Sequence, residues 1–252
     1  MRELIPRLSP DWYDELIVID GGSTDGTVEF LQSHGVDVRG EDKPGVVNAY
    51  NQAFHATTSE LFVTLQGDGN CLVELIPRLI EEIDKGRDIV FASRYLPPAI
   101  SYDDSTLTAI GNYAFTRIIN LLFGASYTDA LGSFRAYRRA AVLRMQLDIQ
   151  PDANWLTQRF DLLNTWEIGG CIRAAKLGLR THEIPGDEPR RAGGIRKMSI
   201  VRNGLMAVAQ IFYELAIGRR FVKRSAATES DVAIAEPVGR RPQSLAGGVA
   251  RD

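Results

Sequence analysis

Cysteine is scarce: 252 residues contain only Cys71 and Cys171. Neither has a second cysteine or a histidine pair at metal-ligand spacing, and both fall in segments that read as helical. Reduced packing residues are expected, which excludes a disulfide scaffold and a zinc site. An apolar leader is missing too. Residues 1–10 mix acid, base and proline and lack the h-region of a secretory signal, so the cytoplasm is the expected compartment. Long hydrophobic runs are few. The most apolar stretch, residues 205–217, would span about 20 Å as a helix against ~30 Å of bilayer hydrocarbon, so it is not expected to cross a membrane, though a helix of this length can lie on one.

What is present is apolar content of 44%, enough for a substantial core, and a single domain over residues 1–224 is expected. Net charge is −3, but nine bases between Arg190 and Arg224 face one acid, Glu214, a local excess of +8 that leaves the rest of the chain at −11. Such a stretch suits phosphate or an anionic lipid surface, and a solvated basic face is the alternative. From residue 225 onward no apolar periodicity remains, and a disordered tail is expected over 225–252.

Short Val, Ile, Leu and Phe runs predict strands over 16–20, 36–39, 61–65 and 89–93, with helical spacing between them over 26–34, 45–57 and 72–85. Strands that are apolar throughout and alternate with helices predict an α/β fold, a mostly parallel central sheet flanked by helices. Farther on, helices are expected over 107–123, 165–177 and 198–221, the last with Gln210 and Glu214 on one face, and strands over 133–137 and 181–184.

Two strand ends carry chemistry. In Ile19-Asp20-Gly21-Gly22-Ser23-Thr24-Asp25-Gly26-Thr27 the strand ends in an acid and opens a Gly-permissive turn, which puts Asp20 where open α/β sheets hold a base or ribose. Ser23 and Asp25 also suit an ordinary helix N-cap. In Gln66-Gly67-Asp68-Gly69-Asn70 three oxygen-bearing side chains spaced by two follow a buried strand. Hard cations such as Mg2+ or Mn2+ take such oxygens and share them with phosphates; a plain Asp-Gly turn is the competing explanation.

Together with Ala92-Ser93-Arg94-Tyr95 and Asp129-Ala130-Leu131-Gly132-Ser133-Phe134-Arg135-Ala136-Tyr137, these segments resemble, in the same order, the motifs of family-2 glycosyltransferases of the GT-A fold, close to dolichol-phosphate and polyprenyl-phosphate sugar transferases. The resemblance runs from about residue 15 to 199. It implies Asp68 as the acidic ligand of Mg2+ or Mn2+, with Gln66 and Asn70 offering amide oxygens. Asp20 and Ser23 would contact the nucleoside side of the donor, and Arg94 and Arg135 its diphosphate, because guanidinium groups pair with phosphate oxygens. Asp129 would stand near acceptor and sugar, and Glu167 would head a helix where the family often keeps an acid. A surface strand position for Arg135 and a helix-dipole pairing for Glu167 are the plainer alternatives. Residues 183–199 resemble the basic loop of the lipid-phosphate transferases, with Arg191 and Lys197 as its candidates. An interfacial membrane helix is implied next to it, and a core or dimer-forming helix fits the same composition.

The partners implied are a nucleotide-diphospho-sugar donor, a lipid-phosphate or glycan acceptor, a peripheral membrane contact on the inner face of the cytoplasmic membrane, and a second copy in a homodimer; nucleic acid is not among them. Two departures stand out. Gln66 and Gly21 replace family acids, and no Val-x-Ile-Pro-type first strand precedes Asp20, so the chain is expected to start inside the first helix, from a displaced start. A strand at 16–20 paired on both sides would refute that expectation. The mechanism implied is inverting displacement at the anomeric carbon. A nucleotide-sugar-binding descendant without turnover is the alternative. A nucleotidyltransferase would want a basic Gly-rich loop after its first strand, and none is present.

Overall fold

A computed structural model describes residues 1–149, 162–191 and 200–220. The strands are β1 (Ile17–Asp20), β2 (Asp37–Gly40), β3 (Leu61–Thr64), β4 (Ile89–Ser93), β5 (Arg135–Arg138) and β6 (Thr181–Pro185). The α-helices are α1 (Thr27–Ser33), α2 (Val46–Ala56), α3 (Ile76–Asp84), α4 (Thr106–Phe123), α5 (Arg139–Met145), α6 (Gly170–Leu177) and α7 (Ile200–Ile217). Every strand expected from the apolar runs is found, with ends that shift by one or two residues.

The larger sheet has the order β3-β5-β4-β6. β3, β4 and β6 run the same way, and β5 alone is reversed, antiparallel to both neighbours. The reversal follows from chain direction: α4 and the loop after it return the chain at the ends of β3 and β4, so Arg135 opens β5 opposite Thr64 and Phe91. The loop at 129–134 thereby lies beside the turns that follow β3 and β4. β4 is buried at all five positions. Ile89 and Phe91 enter one core with Phe54, Tyr137 and Trp166, while Val90 and Ala92 enter a second with Leu79, Ile83 and Ile184. A strand covered on both faces has no reason to alternate polarity, which is why its sequence is apolar throughout.

β1 and β2 form a separate parallel pair. Among the described residues β1 is laddered to β2 alone and β3 to β5 alone. The expected start inside a helix is corrected: the first residues form two short 3-10 turns, Ile5–Arg7 and Pro10–Trp12. Leu4, Ile5 and Leu8 are buried in the second core, and Arg7 pairs with Glu74 at 2.7 Å.

Two further expectations change. The helix at 165–177 is a π-helical turn, Thr165–Gly169, followed by α6. Cys71 lies in the loop before the 3-10 turn Val73–Leu75 rather than in a helix; it and Cys171 are free and buried, as expected. α7 packs on α6 through Glu214, which is 0% exposed and accepts from Arg173 at 2.8 Å and Lys176 at 2.7 Å. Lys197, the ends of the expected 198–221 helix and the 225–252 tail lie outside the described residues.

Candidate functional site

The turns after β3 and β4, the segment before β5, the π-helical turn and the first halves of α4 and α7 enclose a cavity of about 860 Å³. That is the size of a small-molecule site. Gln66, Asp68 and Asn70 lie on its wall, as do Arg94, Glu167 and Arg191. Ser23 reaches it from the turn after β1.

Asp68 is built into its turn by Oδ1, which accepts from the backbone N–H of Asn70 at 3.3 Å. Its Oδ2 faces the Arg191 guanidinium at 3.4 Å, and the same guanidinium donates through Nε to Asp103 at 3.0 Å. A cation already sits between these two carboxylates, so the corner attracts positive charge. Asn70 is buried and its amide nitrogen donates to Glu188 at 3.1 Å. Among the described residues no cluster of three His, Cys, Asp or Glu side chains makes a metal cage. One carboxylate with the neutral amide oxygen of Gln66 nevertheless suits Mg2+ or Mn2+, which complete their shells with water and substrate phosphate.

Arg94 is the centre of a buried ion network. Nε and Nη2 donate to the two oxygens of Asp129 at 2.6 and 3.0 Å, and Nη1 lies 3.4 Å from Glu188 and 3.6 Å from Asp104. Burial alone would raise the Asp129 pKa, but the guanidinium holds it below the ordinary value. Burial pushes Glu188 up, against the pull of Arg94. Glu183 is also raised by burial while its carboxylate accepts the N–H groups of Thr128 and Asp129.

Three expected site residues do not reach the cavity. Asp129 is 1% exposed, closed off by Arg94 and by the Asn112 amide at 3.2 Å. Arg135 is also 1% exposed, and its donors are consumed by backbone carbonyls: Gly132 at 2.7 Å, Ala130 at 3.1 Å, Trp166 at 3.4 Å and Glu167 at 2.7 Å. It is neither a surface residue nor free for a diphosphate. Asp20 folds back on its own turn, its Oδ2 accepting from Gly22 and Ser23 at 2.9 and 2.8 Å. Those bonds hold its pKa down against burial.

Glu167 does reach the cavity. Asn164 caps the π-helical turn, accepting from the Glu167 N–H at 3.0 Å and donating to Oε2 at 2.6 Å. Oε1 is buried without a hydrogen-bond partner among the described residues. Burial raises the Glu167 pKa, opposed by Arg135, Asn164, Arg94 and the nearby Gln66 amide. Sequence reasoning missed Asp103, Asp104 and Glu188. Asp103-Asp104 stands directly before the Ser105 cap of α4, and Glu188 sits in a segment read only for its bases.

The Glycosyl transferase family 2 signature matches residues 10–145. The chain is 30% identical over 179 residues to a dolichyl-phosphate hexose transferase of Haloferax volcanii, covering 71% of this chain and 72% of that one. It is 24% identical over 208 residues to an undecaprenyl-phosphate mannosyltransferase of Micrococcus luteus, covering 79% of each. The fold is shared with glucosyl-3-phosphoglycerate synthase of Mycobacterium tuberculosis, solved with Mn2+, uridine diphosphate and phosphoglyceric acid. The TM-score is 0.60 at 22% identity, covering 84% of this chain and 72% of that one. The α/β architecture expected from the motifs is therefore the GT-A fold of nucleotide-sugar transferases, and the chain belongs to glycosyl transferase family 2.

Proposed function

We propose that the protein transfers a hexose from a nucleotide-diphosphate donor to a polyprenyl phosphate, with inversion and with a divalent cation. The observation that carries this reading is the single cavity shared by Asp68, Arg94, Arg191 and Glu167. The names of the dolichyl-phosphate and undecaprenyl-phosphate relatives support the acceptor class. The residues that would hold Mg2+ or Mn2+ are Asp68 and Gln66; Asn70, turned toward Glu188, contributes by fixing the turn. A cation bound there supplies charge neutralisation for the leaving diphosphate.

The protein's own groups do the rest. Arg191 exchanges Asp68 and Asp103 for the donor's phosphates, and Arg94, while keeping Asp129, exchanges Glu188 and Asp104 for them through Nη1. An acceptor phosphate oxygen forms the new bond to the anomeric carbon as the bond to the diphosphate oxygen breaks and its electron pair leaves with the diphosphate. The acceptor is already an anion and needs little help from a base. Glu167, which lines the cavity, suits a sugar hydroxyl better than Asp129, whose two oxygens are both held by Arg94.

The test is Asp68→Asn. Cation-dependent transfer from nucleotide sugar to polyprenyl phosphate should fall by roughly a hundredfold or more, the scale of a lost transition-state charge contact, with thermal stability unchanged. Undiminished turnover in that variant removes Asp68 from the cation site.

A further inference from the structure

The ion network around Arg94 does not use every polar group on the cavity wall. On α4, Asn112 is 5% exposed, and its amide nitrogen donates to Asp129 Oδ1 at 3.2 Å. Burial raises the Asp129 pKa but Arg94 holds it below the ordinary value, so Asp129 is a carboxylate. The Asn112 amide cannot turn over without setting its own carbonyl against that carboxylate. Its oxygen is thereby fixed as an acceptor facing away from Asp129, and it is buried with no hydrogen-bond partner among the described residues. On α7, Asn203 Oδ1 is buried in the same condition. Both asparagines line the cavity, and α4 packs against α7.

A buried carbonyl oxygen without a donor is costly, and a bridging water is the plainest remedy. The neighbouring residues point to a ligand. Each asparagine has a glycine beside it inside the helix, Gly111 and Gly204, where glycine costs helix stability. A Cβ at either position would meet nothing within 4 Å, so no packing contact demands the small residue, and both glycines line the cavity. A mostly apolar wall with a few fixed polar groups and room beside them is the usual form of a site that orients a small molecule.

The polarity of the site selects the ligand. A carbonyl oxygen takes a hydrogen-bond donor. The oxygens of an ionised diphosphate only accept, and an isoprenoid chain has no polar group, so neither satisfies Asn112; a hexose brings several hydroxyls. Asp129 supplies the register. The same Oδ1 that takes the Asn112 amide takes Arg94 Nη2 at 3.0 Å, so one carboxylate sets a hydroxyl acceptor beside the guanidinium proposed to meet the diphosphate. That is the neighbourhood of a sugar joined directly to a diphosphate.

We infer that Asn112 and Asn203 form the subsite that reads the hydroxyls of the donor's hexose, with Asp129 as the positioning residue that ties Asn112 to Arg94. The subsite rests on the proposed hexose transfer and adds the residues of α4 and α7 that select the sugar. Glu167, proposed above for a sugar hydroxyl, lines the same cavity.

The experiment measures, by calorimetry with Mn2+, binding of a panel of uridine- and guanosine-diphosphate hexoses and of the bare diphosphates to the full chain, to Asn203→Ala and to Asn112→Ala. Asn203 Oδ1 has no protein partner to lose, so Asn203→Ala should keep its melting temperature. Asn112→Ala gives up the Asp129 contact, so the quantity compared is the ratio of affinities for the hexose donor and its bare diphosphate within one variant. That ratio should fall roughly tenfold in each variant, the scale of one lost hydrogen bond. Analogues of the bound donor that lack single hexose hydroxyls give a second measurement, independent of how the variants fold. Removing the hydroxyl that Asn203 reads should weaken wild-type binding by about the same factor, and Asn203→Ala should lose nothing further on that analogue. An unchanged ratio in either variant leaves these oxygens to bridging water and overturns the subsite. So does a wild type indifferent to the loss of every hydroxyl, and both outcomes leave hexose transfer standing. A wild type that binds none of the panel overturns the transfer reading, and the subsite falls with it.

Discussion

At the scale of single residues, two carboxylates trade the roles their contexts suggest. Asp129 sits in the segment that resembles an acceptor-side motif, but both its oxygens are held by Arg94 and its pKa is depressed against the effect of burial, which makes it a weak base. Glu167 could pass for a helix-dipole acid, yet it lines the cavity, with a buried Oε1 that has no hydrogen-bond partner among the described residues. The Asp129 pair has a consequence for stability. A folded pKa below the ordinary 3.8 means the ionised carboxylate stabilises the protein above that pH and the contribution is lost as pH falls through the folded value. Asp129→Asn should therefore cost about 3–5 kcal/mol at pH 7, the range for breaking one side of a buried ion pair, and the gap to wild type should narrow in strong acid. Urea unfolding at neutral pH and below pH 3.8 measures it; a gap independent of pH would mean Asp129 is not ionised in the folded protein. Glu183 and Glu188 work in the opposite sense. Burial raises both, so each favours the folded state at low pH and costs stability as pH climbs from 4.5 through its folded value. Asp68 was legible in the sequence because it follows an apolar strand that must end at the ligand edge of the sheet, and Arg94 through the resemblance of Ala92-Ser93-Arg94-Tyr95 to a family motif. Arg135 was not, because its burial depends on carbonyls contributed by a segment thirty residues away.

At the scale of elements, the π-helical turn Thr165–Gly169 is the feature that periodicity could not announce. The apolar spacing of 165–177 fits one continuous α-helix, and nothing local distinguishes its first turn. The wider turn is held by tertiary partners: Arg135 takes the carbonyls of Trp166 and Glu167, Tyr137 Oη donates to Trp166 at 3.1 Å, and Asn164 caps the start. Such turns concentrate at functional sites, and this one aims Glu167. Strands were easier to read. β4 is buried on both faces, so its apolar run is unbroken, whereas the reversal of β5 depends on where the loop after α4 returns the chain. Arg135→Lys tests the element. A single ammonium cannot satisfy the carbonyls that the guanidinium now serves, and each one left unpaired costs about 1–3 kcal/mol. The melting temperature and kcat should drop together while KM for the nucleotide sugar changes little. A fall in donor affinity with stability intact would return Arg135 to the diphosphate.

At the scale of the whole molecule, charge and apolar surface are segregated around one opening. The chain is acidic overall, but Arg191 and the helices α4 and α7, whose single acid Glu214 is buried, border the cavity, where Asp68, Asp104 and Glu188 supply the opposing negative charge. This segregation was visible in the composition of residues 190–224; that α4 shares it became visible only when the fold set α4 against α7. The arrangement predicts how ligands should act on global stability. A ligand that binds only the folded state at a hundred times its dissociation constant adds about 2.7 kcal/mol, and each kcal/mol moves the midpoint of a domain this size by roughly 2–4 °C. A matching nucleotide sugar with Mn2+ should therefore raise the melting temperature by about 5–10 °C. Without the cation the rise should be smaller, since Asp68 and the diphosphate then repel across the same corner that Arg191 bridges at 3.4 Å. Asp68→Asn should respond to the sugar nucleotide equally with and without Mn2+, because the carboxylate that couples the two is gone. A panel of uridine- and guanosine-diphosphate sugars read by thermal unfolding decides the donor, and a panel that leaves the midpoint unmoved under both conditions would separate the cavity from nucleotide-sugar binding.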